Sequence, residues 1–201
     1  MIAIIDYDAG NMLSVVKALD HLGCDPVVTR DPEILQRADK VILPGVGAFG
    51  DAMDKLNGYD LVRVIKDIIA ADKPFLGICL GQQLLYESSE EAPGIRGIGA
   101  LSGSIRKIPV GQYSKIPQMG WNSLEYPNPG RLFKGIDEGA FVYFVHSYYL
   151  EAADRSTVVA TTSYNVTIDA SVESGNVFAC QFHPEKSGAV GLRILENFIG
   201  L

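Results

Sequence analysis

The segment Phe75-Leu76-Gly77-Ile78-Cys79-Leu80-Gly81-Gln82-Gln83 restricts the fold of this chain more than any other. It is an apolar run of strand length that ends in a cysteine, and helix-favouring residues follow at once. A strand that turns directly into a helix presses the two elements together, so small residues are needed two places before and two places after the turn. Gly77 and Gly81 occupy those places. The pattern asks for helices packed on a sheet. It leaves Cys79 at a strand's carboxyl edge, near the exposed N–H groups and positive end of the next helix, where thiolate is favoured over thiol. A buried structural cysteine is the alternative for the residue type alone. The flanking glycines favour a nucleophile.

The rest of the first half alternates short apolar runs with helical patterns, as a parallel, doubly wound sheet requires. Strands are expected at residues 2–6, 26–29, 41–43 and 75–78. Leu13, Val16, Leu19 and Leu22 mark one face of a helix, Asp31-Pro32-Glu33 starts another with proline at the first helical position, and 61–71 continues the series. After Pro93 the pattern becomes β-rich, with runs at 104–108, 141–148 and 158–162, a hairpin turning at Ser174-Gly175-Asn176, and a closing helix at 190–199. No repeat or linker interrupts the chain, so the β-rich half is expected to extend the same sheet. The expected fold is α/β, a doubly wound and largely parallel central sheet flanked by helices, within one domain over residues 1–201.

Composition excludes several partners. A chain of 201 residues can bury roughly 70% of its unfolded surface in one core. Its three cysteines are widely spaced and it begins without a basic or signal-like segment, which points to reduced thiols and a cytoplasmic location. The net charge of −7 argues against a nucleic-acid surface, and no apolar run is long enough to span a bilayer.

A cysteine nucleophile needs a base. Phe182-His183-Pro184-Glu185 offers one, because an extended segment sends residues two apart to the same face, and Pro184 favours extended backbone at His183. Glu185 could then orient the His183 imidazole and stabilise its cation. A surface His-Pro-Glu turn is the competing reading, and the cysteine elbow favours catalysis. Of the other two histidines, His21 falls in the last turn of a helix, where a cation complements the dipole. His146 ends an apolar strand and lacks a carboxylate two residues on, so it is assigned to the pocket wall. A zinc site from Cys79, His146 and His183 lacks paired ligand spacing, and metal is set aside. Pro44-Gly45-Val46-Gly47-Ala48-Phe49-Gly50 follows a strand and could present backbone N–H groups to an oxyanion or a phosphate.

Taken together, the Gly77–Gln83 segment, the Pro44–Gly50 loop and the His-Pro-Glu tripeptide resemble the class I, triad-type glutamine amidotransferases, in motif order and in spacing. Pro117-Gln118-Met119-Gly120-Trp121-Asn122, Tyr143-Phe144-Val145-His146-Ser147-Tyr148 and His183-Pro184-Glu185-Lys186-Ser187 narrow the likeness to the glutaminase subunits of imidazole glycerol phosphate synthases. Two departures stand out. Asp8 replaces a common glycine, and Gln118 occupies a position often held by histidine.

The resemblance implies a glutaminase of histidine biosynthesis in which Cys79 attacks the glutamine carboxamide, His183 acts as base and then acid, and Glu185 orients it. It implies an oxyanion hole from the N–H groups of Leu80 and Val46. Substrate binding would fall to Gly45, Gly47, Gln83, Glu91, Val145, His146, Ser147 and Tyr148, although Glu87, Glu90 and Glu91 could by themselves be a solvated acidic cluster. No cofactor is implied. The implied partner is a (β/α)₈ barrel cyclase, met through Asn11, Trp121 and Lys186 in a heterodimer, which uses the ammonia before water can protonate it. The rival readings are a stand-alone cysteine hydrolase or an amidotransferase feeding another pathway, and a catalytically silent binding or regulatory subunit on the same fold.

Overall fold

The computed structural model describes residues 1–10, 12–111 and 115–201. Strands β1 (Ile2–Ile5), β2 (Val27–Thr29), β3 (Lys40–Leu43) and β4 (Phe75–Ile78) are parallel neighbours in the order β4-β3-β1-β2. Every residue of β1 and β4 is buried, because helices cover both faces of a parallel sheet. The pleat then divides the core. Ile2, Ile4, Ile42, Leu76 and Ile78 face helices α1 (Met12–His21) and α6 (Gly188–Ile199). Ala3, Ile5, Val41, Leu43 and Phe75 face α2 (Pro32–Arg37), α3 (Phe49–Gly58) and α4 (Leu61–Ala70). Asp31 caps α2 by accepting from the Glu33 N–H at 2.8 Å, with Pro32 at the first position.

The core-facing stripe of α1 departs from the expected one at its start, since Leu19 is buried and Val16 and Leu22 pack half-buried against the core. Val15, Ala18 and Leu19 are buried while Leu13 is 64% exposed. Val15, Ala18 and Leu19 keep the i, i+3, i+4 spacing of a helical face, and Leu13 lies at the helix start, nearest the carboxyl edge of the sheet, where no core covers it.

The β-rich half extends the sheet only in part. β10 (Val158–Tyr164), β11 (Val166–Ser174) and β12 (Val177–Cys180) complete a seven-stranded sheet, β12 lying parallel to β4 and β11 pairing antiparallel with both β12 and β10. The remaining strands form two small sheets. One holds β5 (Ser88–Ser89), β6 (Gly103–Lys107) and β9 (Tyr148–Ala152), the other β7 (Gln118–Ser123) and β8 (Phe141–His146). The expected run at 141–148 therefore breaks at Ser147, where the chain leaves one sheet for the other. Alternating burial along β8 explains why it does not join the central sheet, whose inner strands are apolar on both faces. Five-residue α5 (Leu80–Leu84) follows β4 directly.

Candidate active site

Cys79 sits in the single-residue turn between β4 and α5, with φ +55° and ψ −109°. A non-glycine residue rarely adopts that conformation, which costs about 1–3 kcal/mol and persists only when the surroundings impose it. Here they do. The Cys79 N–H continues the β4–β12 ladder by donating to the Cys180 carbonyl at 2.8 Å. A Cβ on Gly81 would lie 1.9 Å from the Leu43 carbonyl oxygen, and one on Gly77 would lie 2.8 Å from the Gly81 oxygen. Both glycines are required by close backbone approach.

The same ladder delivers the base. β12 ends at Cys180, and three residues on His183 is anchored by its N–H to the Tyr143 carbonyl at 2.9 Å. The segment is not extended beyond His183: Pro184–Lys186 form a 3₁₀ turn. That turn replaces the expected extended spacing and still brings Glu185 Oε1 to 2.7 Å from His183 Nδ1, with both side chains 1% exposed. Ser187 supports it, its hydroxyl donating to the His183 carbonyl and accepting the Tyr143 N–H. Burial pushes the His183 imidazole down, but the Cys79 sulfur and the Glu185 carboxylate together outweigh it and bring the pKa up to about 9. The His183 imidazole is thus favoured in its protonated form at neutral pH. Cys180, fully buried nearby, is pushed far up by burial and remains a thiol.

Cys79 and His183 open into a cavity of about 330 Å³. Its walls include Val46, Gly47 and Leu80, then Gln83 and Glu91, and then Val145, His146, Ser147 and Tyr148. Glu91 is not merely solvated surface, because it accepts the N–H of Phe49 at the start of α3 at 2.9 Å. Glu90 and Glu87 do face outward, paired with Arg106 and with the Gly103 N–H. Gln83 donates to the Tyr148 carbonyl at 3.0 Å and to Gln181 Oε1 at 2.9 Å. Gly45 lies against α5, where a Cβ would come 2.9 Å from Leu80 Cβ.

The Leu80 N–H donates to the Gly45 carbonyl at 3.4 Å. A trans peptide directs its C=O and its N–H to opposite sides. With the Gly45 oxygen turned to Leu80, the Val46 N–H therefore points away, and the two N–H groups do not converge on one point.

Two residues that touch this machinery are absent from the sequence-based set. Gln181 is fully buried, with Nε2 3.7 Å from the Cys79 sulfur, and Pro117 lines the cavity. The sequence signal for Gln181 was a lone amide in an apolar run. Trp121 is 55% exposed beside Tyr143, its neighbour across the β7–β8 pair, and Lys186 is exposed at the end of the 3₁₀ turn. Asn11 lies outside the described residues. Asp8 has φ +60°, the left-handed conformation that explains a common glycine there, and its carboxylate accepts from Arg30 and Tyr59. His21 is exposed at the end of α1. Among the described residues, no group of three or more His, Cys, Asp or Glu could hold a metal ion, and no helix is long and apolar enough to cross a membrane.

Comparison with known proteins places this geometry in a family. The family model for class-I glutamine amidotransferases matches residues 3–200. The chain is 51% identical to the imidazole glycerol phosphate synthase subunit HisH of Bacillus cereus, over all of this chain and 95% of that protein. It is 49% identical to the subunit of the same name from Moorella thermoacetica, over 98% and 93%. Among solved structures, a glutamine amidotransferase superposes with TM-score 0.78 at 18% identity, covering 100% of this chain and 98% of that one. PurLQS from Thermotoga maritima gives 0.77 at 22%, covering 99% and 97%. These distant structures share the fold, and the close relatives narrow it. The chain belongs to the class-I glutamine amidotransferases and, within them, to the HisH subunits of imidazole glycerol phosphate synthases.

Proposed function

We propose that this chain, acting as one domain over residues 1–201 in the cytoplasm, is the glutaminase subunit of imidazole glycerol phosphate synthase in histidine biosynthesis. It hydrolyses glutamine to glutamate and ammonia. The Cys79 thiolate attacks the carboxamide carbon and the carbonyl electrons move onto oxygen. The His183 imidazolium protonates the departing nitrogen, so ammonia leaves and a thioester to Cys79 remains. Neutral His183 then takes a proton from water, the hydroxide adds to the thioester, and glutamate leaves as the thiolate returns. Glu185 holds the imidazole so that Nε2 faces the sulfur and the substrate. The observation that carries this reading is the 2.7 Å His183–Glu185 contact behind a strained, cavity-facing cysteine.

Tetrahedral oxyanions need donors, and the N–H groups of Leu80 and Val46 are the candidates. The Leu80–Gly45 hydrogen bond supports a resting form in which the loop occupies the oxyanion position with its own carbonyl. Turning over the Gly45–Val46 peptide would free Leu80 and bring in Val46. A barrel-shaped cyclase bound around Asn11, Trp121 and Lys186, together with its nucleotide substrate, supplies the trigger and receives the ammonia. The half-exposed Trp121 indole supports a protein contact there.

Glutamate release from glutamine tests the proposal, measured for the chain alone and with the cyclase and its nucleotide substrate. Low activity alone and a large rise in the complex are expected. Full activity alone would favour an independent hydrolase, and none in either condition a silent subunit.

A further inference from the structure

The cavity wall contains a buried polar pair that the reaction above does not use. His146, 6% exposed, ends β8, and Gln118, 2% exposed, starts β7 directly opposite it in the antiparallel register. His146 Nδ1 lies 2.8 Å from the Tyr148 carbonyl oxygen, and Nε2 lies 3.0 Å from the end of the Gln118 amide. With Gln118 Oε1 toward the ring, both ring nitrogens would face acceptors, while the buried Gln118 Nε2 would have no partner. Only an imidazolium could serve two acceptors. A cation there would be buried and would oppose the proton on His183.

The two ends of a side-chain amide have the same shape, so the hydrogen-bond network decides which faces the ring. The Tyr148 carbonyl can only accept, which puts the proton on Nδ1 and leaves Nε2 as an acceptor. The Gln118 atom facing Nε2 must then be the NH₂ group. That arrangement satisfies both ring nitrogens and gives the stranded amide donor a partner. The orphan becomes a carbonyl oxygen, which is tolerated better than an orphan N–H.

We propose that Gln118 is a positioning residue whose amide donates to His146 Nε2 and holds His146 neutral and protonated at Nδ1, thereby fixing the strand crossover that walls the glutamine pocket. The crossover is the break at Ser147, where the chain passes from the β7–β8 sheet to the β5-β6-β9 sheet. The Nδ1–H bond to Tyr148 staples its two sides. Tyr148 also receives the Gln83 amide, so one carbonyl joins β8, β9 and α5 at the cavity. The groups facing His146 are Gln118 from β7, the Phe144 ring at 5.6 Å, Tyr148 from β9, and Cys79, Glu91 and His183 around the same cavity. Burial dominates among their effects, with His183 adding to it, and lowers His146 to about 4 despite its bond to Tyr148. The wall therefore keeps one hydrogen-bonding state over the whole range in which the thiol and His183 work.

The inference rests on the glutaminase reading only for its kinetic consequence, because the tautomer can be read without turnover. The chain has three histidines, so long-range proton–nitrogen correlation spectra of the ¹⁵N-labelled protein resolve them one by one. From about pH 5 to about pH 9, His146 should show a protonated Nδ1, a bare Nε2 and no titration. A proton on Nε2, or titration at the ordinary histidine value, overturns the assignment whether or not glutamine is hydrolysed. Gln118→His keeps a donor and should preserve the signature. Gln118→Glu can only accept at neutral pH and should move a proton onto Nε2. In the assembled complex, Gln118→Leu should raise the KM for glutamine about five- to tenfold, the worth of one neutral hydrogen bond, with a smaller change in kcat. An unchanged KM would mean that Gln118 is packing alone.

Discussion

The cysteine elbow and the Pro44–Gly50 loop are built from the same materials, glycines after a parallel strand, yet they stand in opposite states of readiness. At the elbow, Gly77 and Gly81 are glycines for want of space, and backbone contacts leave Cys79 one conformation. In the loop, Gly47 has φ +102° and nothing within 4 Å of where its Cβ would be. Conformational freedom, not space, is what that glycine supplies. The Cys79 turn is therefore prebuilt by packing, whereas the proposed oxyanion donors depend on which way the Gly45–Val46 peptide faces. Under the proposed mechanism, glutamine meets a nucleophile already in position before the oxyanion donors are in place. Under the proposed function, this division would keep ammonia from being made without its consumer.

Removing the nucleophile is the largest change. Cys79→Ala should lower glutamine-dependent turnover by a factor on the order of 10⁶ while the assembled complex still uses added ammonium. Loss of both activities would make Cys79 a structural residue. Next comes the packing that holds the elbow. Gly81→Ala sets a methyl against the Leu43 carbonyl, with no flexible side chain to yield, and should cost about 3 kcal/mol, read as a lower denaturant midpoint. A midpoint within error of wild type would mean that the turn is looser than the contact distances imply. On the loop side, Val46→Pro removes one N–H without touching the thiol. Its expected cost is a factor of about 10²–10³ in partner-stimulated kcat, with alkylation of Cys79 in the free chain unchanged. Equal losses in both assays would erase the distinction between elbow and loop.

The contrast also explains what could be read in the sequence. Elements that are apolar on every residue, such as β1 and β4, announce themselves, and the elbow did so through glycines at fixed offsets from a cysteine. The α1 pattern is legible at Val16, Leu19 and Leu22 and misleads only at Leu13, which is as apolar as Leu19 but sits beyond the reach of the core. Ser147 was passed over as a sheet switch, since nothing local distinguishes it from a polar residue at a strand end. The Pro44–Gly50 loop stayed ambiguous between oxyanion and phosphate because glycines specify access and not orientation. Which way the Gly45–Val46 peptide faces depends on Leu80, 34 residues on, a contact without a local sequence signal. The same holds for Gln181, whose amide reaches Cys79 only because β12 lies beside β4.

The smallest effect tests the elbow by pH. His183 owes its elevated pKa, about 9, to the Cys79 sulfur and Glu185 acting against burial. In an unfolded chain the imidazole titrates near 6.5. A group whose folded pKa is raised adds stability that is fully present below its unfolded value and is lost as pH rises through its folded value. The elbow's contribution should therefore persist at neutral pH and fade toward pH ~9. Cys79→Ala leaves Glu185 alone against desolvation, so the fade should move to lower pH, seen in unfolding midpoints of the two proteins measured side by side. His146 runs the other way. Its folded value near 4 gives stability present above 6.5 and lost as pH falls toward 4, in wild type and variant alike. If the alkaline limb of the stability curve proved identical in the two proteins, the imidazolium would owe nothing to the Cys79 sulfur. The readiness assigned to the elbow would then lie in its backbone alone.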